Sequence, residues 1–157
     1  MVPKRGWILW VMLAALVAPG SAQVKKQMYQ APVIDELGSE PNVDEFQVGQ
    51  GMLIVSAGAV DYLIREDYLG IGLDKVTLGI DGDPAERRIV LCDDDGGVPC
   101  DSGSFIDLEG TLTAAMFMNA ENGAVSPSAF MQALAAGHVT IQFNDGDAGT
   151  GTFSRIF

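Results

Sequence analysis

Alternating apolar and polar side chains give this chain its first visible order. In KVTLGID, Val76, Leu78 and Ile80 fall on one side and Lys75 and Thr77 on the other, the period of a half-buried β-strand. RRIVLC alternates likewise, with Arg88, Val90 and Cys92 opposite Arg87, Ile89 and Leu91. The intervening DGDPAE is rich in turn residues, so the two strands read as a hairpin. GMLIVS and VDYLIRE read as two further strands joined by AGA. Val60, Ile64 and Tyr68 also fall at helical spacing, so VDYLIREDYL reads alternatively as a short helix. Near the C-terminus HVTIQF sets Val139, Ile141 and Phe143 against His138, Thr140 and Gln142, and after the loop NDGDAGTG the chain returns as a last strand, TFSRIF.

One segment carries the marks of a helix instead. In SPSAFMQALAAG, Ser126 is placed to cap, Pro127 occupies the first helical position, and Gly137 suits the left-handed residue that ends a helix. Phe130, Met131, Leu134 and Ala135 then line the face that covers the core. Many short strands with Gly and Asp turns and one short α-helix near the C-terminus predict a mainly β domain, a small β-sandwich or open barrel.

The N-terminal third has a different texture. MVPKRG, WILWVMLAALVA and PGSA form a basic start, an apolar run and a small-residue end, the order of a signal peptide over residues 1–22, cleaved after Ala22. The apolar run is shorter than the roughly 20 residues of a bilayer span, and Gln23 rather than a cysteine follows the cleavage point. Residues 23–46 mix prolines, charges and scattered apolar side chains with no sustained period, which reads as a flexible arm. Residues 47–157 remain as a single β-rich domain, enough chain for one core.

Losing Lys4 and Arg5 with the leader moves the formal charge from −12 to about −14. Such a field repels phosphate backbones and anionic headgroups, which argues against nucleic-acid partners and electrostatic membrane docking. No membrane span is expected in the mature chain.

The candidate chemistry is sparse. His138 is the single histidine, so a Ser-His-Asp arrangement would depend on it, and its place between a helix-ending glycine and a strand has a structural explanation. Asp81 and Asp83, Asp93 to Asp95, and Asp145 and Asp147 lie in Gly-containing loops, the setting for a carboxylate-dependent hydrolase or for calcium. DDDGGVPCDSGS lacks the terminal bidentate Glu of an EF-hand loop, DGDPAE and NDGDAGTG are too short to match one, and two cysteines with one histidine make a poor zinc set. No catalytic residue, metal ligand or cofactor is assigned. In LCDDDGGVPCD, seven residues separate Cys92 from Cys100, too many for a thioredoxin-like motif. Export and an even cysteine count point to a structural disulfide between them.

The strand VTLGIDG, the strand into Cys92, the loop to Cys100, the helical SAFMQALAAG running into HVTIQF and the final TFSRIF follow a recognisable order behind an export leader. Over about residues 75–157 the chain resembles the invasion-associated locus B family of exported bacterial proteins. The resemblance implies a small β-rich domain with a cysteine pair, at the periplasm or surface, connected with the cell envelope or host contact. It carries over no catalytic residues. The expected function is therefore a periplasmic or secreted, non-enzymatic protein that binds a protein or cell-envelope component through a sheet edge or the acidic loops. Alternatives are a secreted carboxylate-dependent hydrolase, with or without calcium, and a subunit of an extracellular adhesive assembly whose arm is a donated strand.

Overall fold

The protein is described by a computed structural model over residues 25–35, 46–67, 73–100 and 107–157. The expected signal peptide, over residues 1–22, lies outside the described residues, as does Tyr68. In chain order the elements are β1 (Gln27–Asp35), β2 (Phe46–Ser56), β3 (Ala59–Glu66), β4 (Lys75–Ile80), β5 (Arg88–Asp93), β6 (Asp107–Thr111), α1 (Ala114–Met118), α2 (Pro127–Ala136), β7 (Val139–Phe143), β8 (Gly149–Thr152) and β9 (Ser154–Arg155). A short 3-10 turn over Asn144–Gly146 joins β7 to β8.

The strands form one antiparallel sheet in the order β5-β4-β7-β8-β1-β2-β3-β6, with β9 also paired to β1. The fold is mainly β, a sheet curled into a half-barrel, with the longer helix α2 near the C-terminus. Both predicted hairpins form: β2 pairs with β3 and β4 with β5. The choice left open at VDYLIRE is settled as strand, because Val60 and Ile64 face the core while Asp61, Leu63 and Arg65 face outward. Helix α2 starts and stops as its sequence directs. The Ser126 hydroxyl accepts from the N–H of Ala129, Pro127 is the first helical residue, and Gly137 takes a left-handed φ of 76°.

The first correction concerns residues 23–46. Instead of a flexible arm, Gln27–Asp35 is a central strand, paired along its whole length with β2 and flanked on the other side by β8 and β9. Tyr29, Ala31 and Val33 are buried in the core. The strand is concealed in sequence by Pro32. Ile34 pairs with Thr150, and Gln30 and Tyr29 pair with Ser154 and Arg155, one continuous register with a gap around Pro32, which has no N–H to contribute.

A second correction concerns β5. Cys92 does not share a face with Arg88 and Val90, because a bulge opposite the step from Val76 to Thr77 leaves Leu91 unpaired and turns both Leu91 and Cys92 inward. On α2, Phe130 and Leu134 are buried, but Ala135 is exposed and Ala133 packs on the core in its place. The segment TLTAAMFM contains a helix that the periodicity did not disclose, α1, capped by Thr113 and held by Phe117, whose ring meets Phe130 edge-on at 5.5 Å. TFSRIF is not one strand either: Thr152 ends β8, Phe153 turns into the core, and Ser154 begins β9.

The curl depends on residues with no side chain. Gly49 and Gly51 occupy inward positions of β2, and a Cβ there would lie 2.7 Å from the Phe143 ring and 2.9 Å from the Phe153 ring, respectively. Both rings are fully buried against this bare stretch of backbone. Replacing Gly51 with valine forces Phe153 and Ile141 apart and is expected to lower stability by about 1–3 kcal/mol, the usual range for overpacking. Urea denaturation measures this directly, and an unchanged midpoint would contradict the close approach.

Candidate functional site: a polar groove over β4, β7 and β8

The face of β5, β4, β7 and β8 that turns away from the core is polar. One row across the sheet runs Arg88, Gly79, Thr140, Thr152, and the next runs Val90, Thr77, Gln142, Thr150. Around this floor stand the β4–β5 turn, the Glu121–Asn122 segment and the Asp145 loop, enclosing a groove of about 630 Å³.

Each wall is fixed by local hydrogen bonds. In the β4–β5 turn, the Asp83 carboxylate accepts from the N–H groups of Ala85 and Arg87 and from the Arg87 guanidinium at 2.8 and 3.0 Å. The Arg87 interaction, the largest effect, holds the Asp83 pKa down at about 2. Asn122 donates to the Glu86 carbonyl, and the Glu121 segment pairs backbone-to-backbone with Arg88, extending the edge of β5. On the opposite wall, Asn144 and Asp145 both adopt left-handed φ, 48° and 56°. The Asn144 side chain accepts from the N–H groups of Asp74 and Lys75. Lys75 then ties the walls together, contacting Glu121 at 2.6 Å and Asp145 at 3.0 Å. The hydrogen bond to Glu121 is the main cause of its raised pKa.

Arg88 is the unusual member. Its guanidinium lies against Gly79, where a Cβ would come within 2.6 Å of Nη1, and its Nε donates to Thr77 at 2.7 Å. Thr77 is wholly buried. No carboxylate forms an ion pair with Arg88 among the described residues, and Nη2 is buried without a hydrogen-bond partner. Desolvation lowers its pKa, opposed by the more distant charges of Glu121, Asp145 and Glu86. A buried guanidinium nitrogen with no partner is a rare and costly arrangement.

Two of the three acidic loops therefore converge, since Asp81, Asp83 and Asp145 all line the groove. Asp83 and Asp145 are already paired to Arg87 and Lys75. The third loop lies apart and is organised around its own backbone. Asp93 accepts from the N–H groups of Asp95 and Gly96, and Asp94 accepts from the N–H of Cys100 at 2.6 Å. Cys92 and Cys100 form the disulfide, their Cα atoms 5.0 Å apart and both residues buried. Among the described residues, no three His, Cys, Asp or Glu side chains are grouped to hold a metal ion. His138 is exposed, and its carbonyl accepts from the N–H of Asp81.

Lys75, Arg88 and Glu121 were not singled out by sequence reasoning as site residues. The available signal was Arg88 alternating outward on a strand of an otherwise acidic protein, but its neighbours across the sheet are set by pairing alone. No protein-family model, no curated protein and no solved structure matches this chain. The fold and site define an antiparallel β domain with a curled sheet, a disulfide-closed loop and a polar groove on its outer face.

Two outcomes follow from these contacts. Replacing both cysteines with alanine should lower unfolding free energy by about 2.5 kcal/mol, the chain-entropy value for so short a loop, as read by chemical denaturation with and without reductant. Asp83 has a depressed pKa, so its contribution to stability is present above the ordinary carboxylate value of 3.8 and is lost as pH falls through about 2. Asp83→Asn should therefore melt below the unaltered protein at pH 5, with the gap closing as pH is lowered to 2; a gap independent of pH would rule out the ion pair as its source.

Proposed function

We propose that this chain is an exported, non-enzymatic binding domain of the bacterial cell envelope, and that the groove over β4, β7 and β8 receives its partner. The observation that carries this reading is Arg88, a guanidinium held against the groove floor whose charge meets no carboxylate in an ion pair among the described residues and whose side chain is hydrogen-bonded only to Thr77. A group bound from outside would supply what the chain's own residues leave out. The leader-like N-terminus and the Cys92–Cys100 bond suit an oxidising compartment outside the cytoplasm. The resemblance to the invasion-associated locus B family points to the same setting. Gln27–Asp35, in the segment that a donated strand would have to supply, is β1 of this chain's own sheet, which favours binding by a single domain over strand exchange.

A photo-crosslinking side chain placed at Thr150, in the groove, is expected to yield a specific adduct in the native envelope. The same group at Glu109, on the exposed face of edge strand β6, is expected to yield much less. Adducts confined to Glu109 would move the contact to the sheet edge, and no adduct at either position would overturn the binding reading.

A further inference from the structure

Most charges that line or brace the groove are paired inside the protein. Arg87 is taken by Asp83, and Lys75 by Glu121 and Asp145. Arg88, Asp81 and Glu86 line the groove and form no ion pair among the described residues. Since Lys75 offsets only one of its two carboxylates, this pairing leaves one cation on the floor, two carboxylates on the rim and one further negative charge shared by Glu121 and Asp145. Between them, Thr140, Gln142 and Thr150 offer neutral donors and acceptors.

This balance discriminates among ligand classes. A simple anion would find Arg88, but against the uncompensated carboxylates around it and the negative field of the whole chain. A simple cation would find Asp81 or Glu86 and leave Arg88 as it is. A neutral polyol would satisfy neither sign. Only a ligand carrying both charges answers both ends, and a groove of about 630 Å³ is of the size that holds a small molecule or a few residues of peptide.

Resting on the reading of the groove as the binding surface, we infer that its ligand is a zwitterion of the amino-acid or short-peptide class. The carboxylate lies on Nη1 of Arg88, and the ammonium lies at the rim, toward Asp81 and Glu86. With Nε given to Thr77 and Nη2 enclosed, Nη1 is the guanidinium nitrogen left to make a charge-assisted hydrogen bond to the carboxylate, and the threonine and glutamine floor takes the peptide amides in between. Gly79 is part of the device, because any larger residue there would displace the guanidinium from the floor.

Titration calorimetry on the full exported chain tests this with tri-alanine, its N-acetyl form, its C-terminal amide, free alanine and acetate. Tri-alanine should bind, and capping either end should weaken it by about tenfold or more, the scale of one lost charge-assisted contact. Alanine binding as tightly as tri-alanine would assign the site to amino acids, and tighter binding of the tripeptide would assign it to peptides; both support the zwitterion. Arg88→Gln should abolish the carboxylate preference, and the paired change Asp81→Asn with Glu86→Gln should abolish the ammonium preference. Because the second variant leaves Arg88 in place, it reads the site even if the first fails to fold. No binding of tri-alanine or alanine at millimolar concentration, equal affinity for the capped forms, or acetate binding as well as tri-alanine would overturn the inference. Such a result together with adducts at Thr150 would remove the ligand class and leave the groove standing, whereas loss of the adducts as well would remove both.

Discussion

The close approach of β2 to the rings of Phe143 and Phe153 is the constraint on which the rest of the molecule depends. Two inward positions of β2 carry no side chain, and two of the largest fully buried residues of the protein occupy the space. A sheet with ordinary side chains at those positions would hold its halves farther apart, as facing sheets usually are. Bare backbone at Gly49 and Gly51 lets β2 close down on the rings from β7 and the β8–β9 junction, so a single sheet encloses its own core without a second layer. Helices α1 and α2 contribute Phe117, Phe130 and Leu134 to that core.

Because the apolar side chains turn inward around this curl, the opposite face of β5, β4, β7 and β8 is left largely to threonine, glutamine and arginine. The hydrophobic effect sorts the two faces, and hydrogen bonding then organises the polar one. Asp83 and Arg87 stiffen the β4–β5 turn, Asn144 anchors the loop after β7, and Lys75 joins that loop to the Glu121 segment. These contacts build walls that converge on Arg88, the one groove cation that they leave without an ion-pair partner among the described residues. The disulfide loop solves a separate problem. Its aspartates are acceptors for backbone N–H groups that a tight loop would otherwise leave unsatisfied.

Legibility in the sequence varied with the range of the forces involved. The hairpins at β2–β3 and β4–β5 and the helix α2 were readable because their determinants are local: alternation, turn residues, a serine cap, a proline start and a glycine stop. β1 was unreadable because Pro32 breaks the local strand signal, and only pairing on both sides makes Gln27–Asp35 a strand. The inward turn of Cys92 was hidden for a related reason, since a bulge shifts the alternation by one residue and is specified by the partner strand. For the site, the acidic loops were visible as candidates, but their division into groove walls and a self-capped loop was not.

The amino-acid sequence by itself determined the fold class, the acidic character, the cysteine pair and those elements whose capping or alternation is written into neighbouring residues. Tertiary structure alone decided that Arg88 and Glu121 pair across an extended sheet edge, that Asp81 and Asp145 share one groove, and that Lys75 reaches both walls. Those relations join residues tens of positions apart, and no local propensity encodes them. They arise when burial of the rings against Gly49 and Gly51 fixes the curl, which then dictates which polar side chains meet on the other side of the sheet.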